Sequence, residues 1–474
     1  MAELIRLLLF WTAVPSLFYF IVINVSYGLL VLLGWWEIRR SARRRSVLDL
    51  AETATAPVSL GLTVVIPAYN EELVIEQSVR STLALDYPDH EVVVVNDGST
   101  DDTLEALTRA FDLVPSARTV DTSGQVQVRG AIRGVYRARD RSTPLVVLDT
   151  DNSGRSDSVN AGICIAAKDL VVFMDADSVL DHDALLLAVQ PFLDDPVRVV
   201  ATGGSIRAVN GCRVLAGRVT KVGLPTSWLA RLQVVEYLRA FSLGRAGWSM
   251  IGALMLISGA FGVYRRDVLL TVGGLDADTI GEDFELAMAV HRWYRRAGRD
   301  YRMVYVSEPV SWTEVPDTGK VLRKQRARWH RGLWEVLWKY RGMLLNPRYG
   351  RIGMIGLPYY WLFELCAPLF EVFGLVVLVA AMATGAVNPV LLLSMLGISL
   401  GIGVLVSIAA ILLEEVSFHR TPTWRSVWLL IVSAFVENFG YRQLTAVWRL
   451  EGWWKALRRT KQEWGVMSRT GFSS

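Results

Sequence analysis

The chain has 474 residues, of which 52% are hydrophobic and only 20% charged, with 17 Trp. That is too apolar for an ordinary soluble protein and too long for one compact domain, so part of it belongs in a membrane. The net charge of +4 leaves no nucleic-acid footprint, and Cys164, Cys212 and Cys366 are too scattered for a disulfide framework or a thiolate metal site.

Residues 7–36 carry no charged side chain, a run long enough to cross a bilayer core of about 30 Å with tilt or a kink at Pro15. It exceeds a signal-peptide core and lacks a clear small-residue cleavage site. "WEIRRSARRR" follows, with five arginines from Arg39 to Arg45, and by the positive-inside rule the next domain faces the cytoplasm.

Residues 60–320 alternate short apolar runs with helical patterns, which predicts βαβ units and a mainly parallel sheet. Strands are expected at 62–67, 91–99, 144–151 and 169–178, with a helix over 71–85 between the first two. Each strand ends in Asn or Asp where its helix should begin, and in open α/β sheets ligands bind at these carboxyl ends. Residues 227–258 read as buried helix and strand rather than a further span.

Toward the C-terminus, residues 372–413 are again free of charge, and Gly385, Asn388 and Pro389 should break them into two apolar helices. The first is expected to begin near Leu357, giving helices of about 357–384 and 390–413. Residues 425–448 stay open between a third span and an interfacial helix, because Glu437, Asn438 and Arg442 would sit deep in hydrocarbon. The basic tail "KALRRTK" favours a cytoplasmic C-terminus.

Two Asp-x-Asp pairs end strands, Asp149 with Asp151 and Asp175 with Asp177. Either could hold Mg²⁺ or Mn²⁺ against a diphosphate, and either could simply cap a helix or a turn. Asp97 in "NDGSTDD" admits the same two readings, and Glu282 with Asp283 in "GEDFELAM" would also suit a helix start on electrostatic grounds alone. "QRARWHRG" (325–332) combines bases with Trp shortly before an apolar stretch, as an anchor at a membrane rim would.

The motifs in combination are more specific. In order come "PAYNE" (67–71), "VNDGSTDDT" (95–103), "NSGRSDSVNAG" (152–162), "DADS" (175–178), "SGAFGVYRR" (258–266), "GEDFE" (281–285) and "QRARW" (325–329). This series resembles the family 2 membrane glycosyltransferases, the group of cellulose, hyaluronan and poly-N-acetylglucosamine synthases. The resemblance implies an α/β GT-A, Rossmann-like domain on the cytoplasmic side, flanked by transmembrane helices. It also implies inverting transfer from a UDP-sugar that elongates a β-linked polysaccharide.

By that resemblance Pro67, Tyr69, Glu71 and Asp97 line the nucleoside site, with Arg155, Asp157, Asp175 and Arg328 completing the nucleotide-sugar contacts. Asp175 and Asp177 would hold Mg²⁺ or Mn²⁺, and Asp283 would be the catalytic base. Gly259, Glu282, Gln325 and Trp329 would meet the acceptor. The chain departs from the family's usual "NGGKADALNAG" by placing Arg155 at the lysine position, where a planar fork replaces a compact ammonium. Asp149 and Asp151 fall on this loop and are not expected to be the metal pair.

The expected organisation is an N-terminal anchor and basic segment (1–45), a cytoplasmic GT-A domain (46–345) and a C-terminal membrane domain (346–474) in a multi-pass protein of the inner or plasma membrane. The expected partners are a UDP-sugar donor, a growing glycan or lipid acceptor, the bilayer and, for export, accessory subunits, with no nucleic acid. A processive synthase that exports its product leads over a single-transfer enzyme and over an inactive scaffold. Gln325, Arg328 and Trp329 share one helical face by their i, i+3, i+4 spacing. Arg326 and Arg331 are expected to point elsewhere, toward lipid headgroups.

Overall fold

The computed structural model describes residues 2–45, 60–384, 389–418 and 423–458. The expected boundary at 45/46, the break at Gly385 and Asn388, and Arg459, Thr460 and Lys461 of the tail lie partly or wholly outside these residues, as do the side chains of Arg43 to Arg45.

Helix α1 (Ala2–Arg45) runs unbroken through Pro15. The strands that follow are β1 (Leu62–Ala68), β2 (His90–Asp97), β3 (Leu113–Pro115), β4 (Ile132–Ala138), β5 (Leu145–Thr150) and β6 (Leu170–Phe173). Between them lie α2 (Ile75–Leu83), α3 (Thr103–Phe111) and α4 (Arg155–Ile165). Then come β7 (Val179–Leu180), α5 (Ala184–Asp194), β8 (Val199–Ala208) and the hairpin β9 (Arg213–Leu215) and β10 (Arg218–Lys221). Helices α6 (Trp228–Glu236) and α7 (Arg245–Ile251) are joined by a π-helical stretch, Tyr237–Gly244. The globular part ends with β11 (Gly262–Arg265), α8 (Arg266–Val272), α9 (Glu282–Ala297), β12 (Arg302–Thr313) and α10 (Gly319–Lys339).

Ten strands form one sheet in the order β3-β4-β5-β2-β1-β6-β11-β8-β12-β7. The ladders β5-β2-β1-β6 are parallel, as is β8 with β12, whereas β11 runs antiparallel to both of its neighbours and the β3-β4 edge is antiparallel. The sheet is therefore mixed, with the expected parallel ladders at its centre. Alternate residues of the apolar strands bury against opposite layers: Val65, Val93, Val95 and Val171 join one core with Val159 of α4 and Phe284 of α9. Val64, Ile66, Val92 and Val94 join the other with Val79 of α2 and Leu185 of α5. Burial on both faces accounts for strands that read as continuous apolar runs.

Three expectations need correction. Residues 253–258 form no strand; they are largely buried, but the Leu254 carbonyl accepts from His291 Nε2 at 2.8 Å instead of joining a ladder. The apolar helix expected near Leu357 begins earlier, in π-helical turns from Ile352, and bends by 41° before α11 (Ala367–Thr384). Residues 425–448 form no single helix but two, α13 (Trp424–Val436) and α14 (Tyr441–Leu457), on either side of a turn in which Gly440 has φ +98°. At 13 residues, α13 is about 20 Å long and falls short of a bilayer core.

Among the described residues two helical stretches are long and apolar enough to cross a membrane, Phe18–Ser41 in α1 and Leu400–Phe418 in α12 (Pro389–Phe418); counting the bent pair Ile352–Leu365 with Ala367–Val377 gives up to three. Glu437, in the turn before α14, accepts from Arg239 Nη1 at 2.5 Å, Arg442 Nη2 at 2.8 Å and Ser407 Oγ at 3.0 Å. Of the residues that made 425–448 ambiguous, Glu437 and Arg442 thus pair at a junction of the α6-α7 connection, α12 and α14, while Asn438 donates to the Ala434 carbonyl at 2.9 Å. Arg207 of β8 pairs with Glu414 of α12, a second tie between sheet and apolar helices.

Candidate active site

The carboxyl ends of β1, β2 and β6, the N-termini of α4 and α9, and one face of α10 open on a single cavity. Pro67, Tyr69, Glu71, Asp97, Arg155, Asp175, Asp177, Gly259, Glu282, Asp283, Gln325, Arg328 and Trp329 all line it. The expected residues are scattered over some 260 positions of sequence, and parallel strand ends bring them together.

Asp97, the last residue of β2, accepts from the backbone amides of Ser153 at 2.8 Å and Gly154 at 3.0 Å. Burial pushes its carboxyl up, and these amides offset the shift only in part. Asp157, one turn into α4, does not line the cavity. It is 2% exposed, and its carboxylate accepts from the amides of Arg129 at 2.7 Å and Gly130 at 2.9 Å and from Ser153 Oγ at 2.6 Å. The expected nucleotide contact is corrected accordingly: Asp157 fastens the loop on which Ser153 and Gly154 stand.

Arg155 occupies the centre. Its Nε donates to Asp175 Oδ1 at 2.9 Å, its Nη1 lies 3.3 Å from Glu282 Oε1 and 3.6 Å from Asp283 Oδ1, and its Nη2 donates to the Gly259 carbonyl at 2.9 Å. A planar fork reaches four acceptors that a single ammonium could not serve together. Gly259 in turn donates its N–H to Asp283 Oδ2 at 2.8 Å. Burial raises the Asp283 carboxyl, opposed by Arg155 and reinforced by the Asp175 charge, and pushes Glu282 up to about 7 with help from Asp283. Arg328 adds positive potential to both.

Asp177 is pushed up to about 7 by burial and by the Asp175 charge. Two carboxylates that resist being ionised together make a place where a cation is favoured. Among the described residues no group of three or more His, Cys, Asp or Glu side chains is arranged to hold a metal. An ion on this pair would therefore complete its shell with substrate oxygens and water, a common arrangement for Mg²⁺. The first pair is committed elsewhere, since Asn96 Nδ2 donates to Asp149 at 2.7 Å and Arg133 Nε donates to Asp151 at 2.7 Å.

On α10, Gln325, Arg328 and Trp329 face the cavity as their spacing requires. Gln325 Oε1 is buried there without a hydrogen-bond partner among the described residues. The assignment of Arg326 and Arg331 to lipid headgroups is overturned. Arg326 is 5% exposed and ion-pairs with Glu236 at 2.8 Å, while Arg331 bonds Glu335 at 2.9 Å one turn along the helix. Sequence reasoning also missed Glu314, which follows β12, lines the cavity and adds to the charge around Asp177. Nothing in the spacing of "SWTEVPD" marks it.

A family model described as "Glycosyltransferase like family 2" matches residues 59–332. The chain is 27% identical over 301 residues to the poly-beta-1,6-N-acetyl-D-glucosamine synthase of Staphylococcus aureus (strain COL), covering 64% of this chain and 60% of that protein. The protein of the same name from Staphylococcus epidermidis is 27% identical over 321 residues, 68% of this chain and 65% of that one. The chain thus spans less than two thirds of the length of these relatives. Among solved structures, the mannosyltransferase PcManGT of Pyrobaculum calidifontis, in complex with GDP-Man and Mn²⁺, superposes with a TM-score of 0.54 at 19% identity over 94% of this chain and 100% of that chain, a likeness of fold.

Proposed function

The chain belongs to the family 2 glycosyltransferases, and on that premise we propose that it elongates a β-linked polysaccharide from a UDP-sugar and passes the product between its own apolar helices. The reading places the GT-A domain (46–345) on the cytoplasmic face of the cell membrane and makes the protein multi-pass, with residues 1–45 and 346–474 as its membrane parts.

One observation carries the reading. The cavity that holds Asp175, Asp177 and Asp283 continues without interruption past Trp329 to Tyr27 of α1, Glu371 and Gly374 of α11, and Leu400 and Gly403 of α12, with a volume of about 1490 Å³. A single-transfer enzyme needs room for one donor and one acceptor, and pockets for small ligands run to about 1,000 Å³. A cavity leading from the carboxylates into the helices most apt to cross a membrane suits a product that leaves through them. Polar groups, Asn24, Arg239, Arg442 and Gln443 among them, punctuate its otherwise apolar inner stretch and offer partners to sugar hydroxyls.

In this chemistry the acceptor hydroxyl oxygen attacks the anomeric carbon while the bond from that carbon to the UDP oxygen breaks. UDP leaves with the bonding electron pair from the face opposite the attack, which inverts the centre. Asp283, raised above an ordinary carboxylate and held by the Gly259 amide, takes the hydroxyl proton. Arg328 supplies positive charge toward the leaving diphosphate, and Gln325 and Trp329 hold the acceptor ring. Asp175 and Asp177 are the residues that would hold Mg²⁺ or Mn²⁺, which when bound neutralises charge on the leaving group. Asp97 and Tyr69 border the end of the cavity that suits the nucleoside.

The test is purified protein in detergent with Mn²⁺ or Mg²⁺ and a panel of UDP-sugars, following UDP release and product length together. The relatives' name makes UDP-N-acetylglucosamine the first donor to try. A ladder reaching high polymer is expected, whereas products confined to one or two added sugars would replace this reading with single transfer.

A further inference from the structure

Trp329 lies between two cation-bearing neighbours. The Arg326 guanidinium sits over its indole at 4.7 Å from the ring centroid, and Phe241 meets it at 6.1 Å with the planes tilted by 54°. Phe241 carries Arg245 over its own ring at 4.5 Å, so cation, aromatic, aromatic and cation form one row. Arg326 is not there by chance of exposure. It is 5% exposed, and a buried guanidinium is costly unless it is paired.

Its partner comes from another element. Arg326 Nη2 donates to Glu236 Oε2 at 2.8 Å, and the same oxygen accepts from the Tyr441 hydroxyl at 3.0 Å. Glu236 is the last residue of α6 and Tyr441 the first of α14. One carboxylate oxygen therefore joins three helices, α6, α10 and α14, directly beside the ring that faces the cavity. A flexible arginine held by a carboxylate that Tyr441 in turn fixes has few rotamers left, and the stack transfers that restriction to the indole.

We propose that Arg326 is a positioning residue for the acceptor: fastened by Glu236 and Tyr441, it fixes the tilt of the Trp329 indole, so that the junction of α14 with the catalytic domain sets how the acceptor sugar ring packs. The proposal rests on the reading of Trp329 as the acceptor platform. It accounts for a buried charge that neither donor binding nor proton transfer requires, and for a ring that stays 37% exposed in the cavity while its position is fixed from behind.

The experiment uses the full chain in detergent with UDP-N-acetylglucosamine and a pentamer of β-1,6-linked N-acetylglucosamine. Arg326→Lys keeps the charge but loses the planar stack, and Tyr441→Phe removes one hydrogen bond to Glu236 while keeping the ring. Both should raise the acceptor KM, Arg326→Lys about tenfold or more and Tyr441→Phe less, and shorten the product ladder. The donor KM and the slow acceptor-independent release of UDP should stay within about twofold, because the donor side is untouched. A merely structural loss would lower the transfer and UDP-release rates together and leave both KM values unchanged. Equal changes in donor and acceptor KM, or no change in either variant, would overturn the positioning role. Should the wild-type protein ignore the pentamer and still turn over donor, the acceptor reading of the cavity fails instead.

Discussion

Gly259 donates its backbone N–H to the Asp283 carboxylate at 2.8 Å, and any side chain in its place would push that carboxylate aside. A Cβ built on Gly259 would lie 2.5 Å from Asp283 Oδ2 and 2.7 Å from Arg155 Nη2, well inside van der Waals contact. Gly259→Ala should therefore displace the base and cut turnover by about 100-fold. Its thermal transition should move only a few degrees, because the site is open to solvent on the cavity side. Initial rates alongside melting curves will separate the two effects, and a variant of near-normal rate would show that Asp283 is not the base.

Asp283→Asn should remove transfer by about 1,000-fold or more, since the amide cannot take a proton. UDP binding should survive, because Asp97 and Tyr69 stand at the other end of the cavity. Calorimetric titration with UDP, run beside a turnover assay, gives both readouts.

Arg155 holds Asp175, Glu282 and Asp283 apart at close quarters. Arg155→Ala should leave three carboxylates facing one another and destabilise the fold by about 3 kcal/mol. Arg155→Lys should lose the Gly259 bond or the Asp175 bond but retain most of the stability. Chemical denaturation of the two variants should place lysine between wild type and alanine; equal losses would mean that the fork geometry has no part in holding the site.

Arg328 and Arg331 are three residues apart on α10 but serve different surroundings. Arg328→Ala should lower turnover about 100-fold by withdrawing positive charge from the leaving group. Arg331, bonded to Glu335, should tolerate alanine within about threefold, since it removes only a local i, i+4 pair. A helix that served purely as an anchor would respond equally to both changes.

The part of the stability that depends on His291 should fall as the pH drops below 7. Burial lowers His291 to about 4, and the ring stays neutral between the Leu254 carbonyl and the Tyr301 hydroxyl. An unfolded histidine titrates near 6.5, so below that pH the unfolded state binds the extra proton and folding loses ground. The contribution is complete above pH 6.5 and disappears as the pH falls toward 4, a change of about 3 kcal/mol. His291→Gln, which keeps a donor for Leu254, lacks this titration, so the stability of wild type relative to the variant should decline between pH 7 and pH 5, read from the two denaturation midpoints.

Much of this was legible in the sequence because the signals are local. The Val-rich strands declare burial on both faces, the terminal Asp of β2 and the Asp-x-Asp after β6 mark strand ends, and the i, i+3, i+4 spacing puts Gln325, Arg328 and Trp329 on one face. Side-chain partners across the fold were not legible. Asp157 and Asp97 look alike as aspartates near loop "NSGRSDSVNAG", yet backbone amides from the β3–β4 side enclose one and leave the other at the cavity wall. Arg326 looked like a headgroup contact until α6 and α14 closed over it. Local periodicity comes from covalent geometry and is written in neighbouring residues. Which charge is buried, and against what, depends on elements far apart in sequence, so only the packed chain could pair Arg326 with Glu236, 90 residues away, and Glu437 with Arg239, 198 residues away.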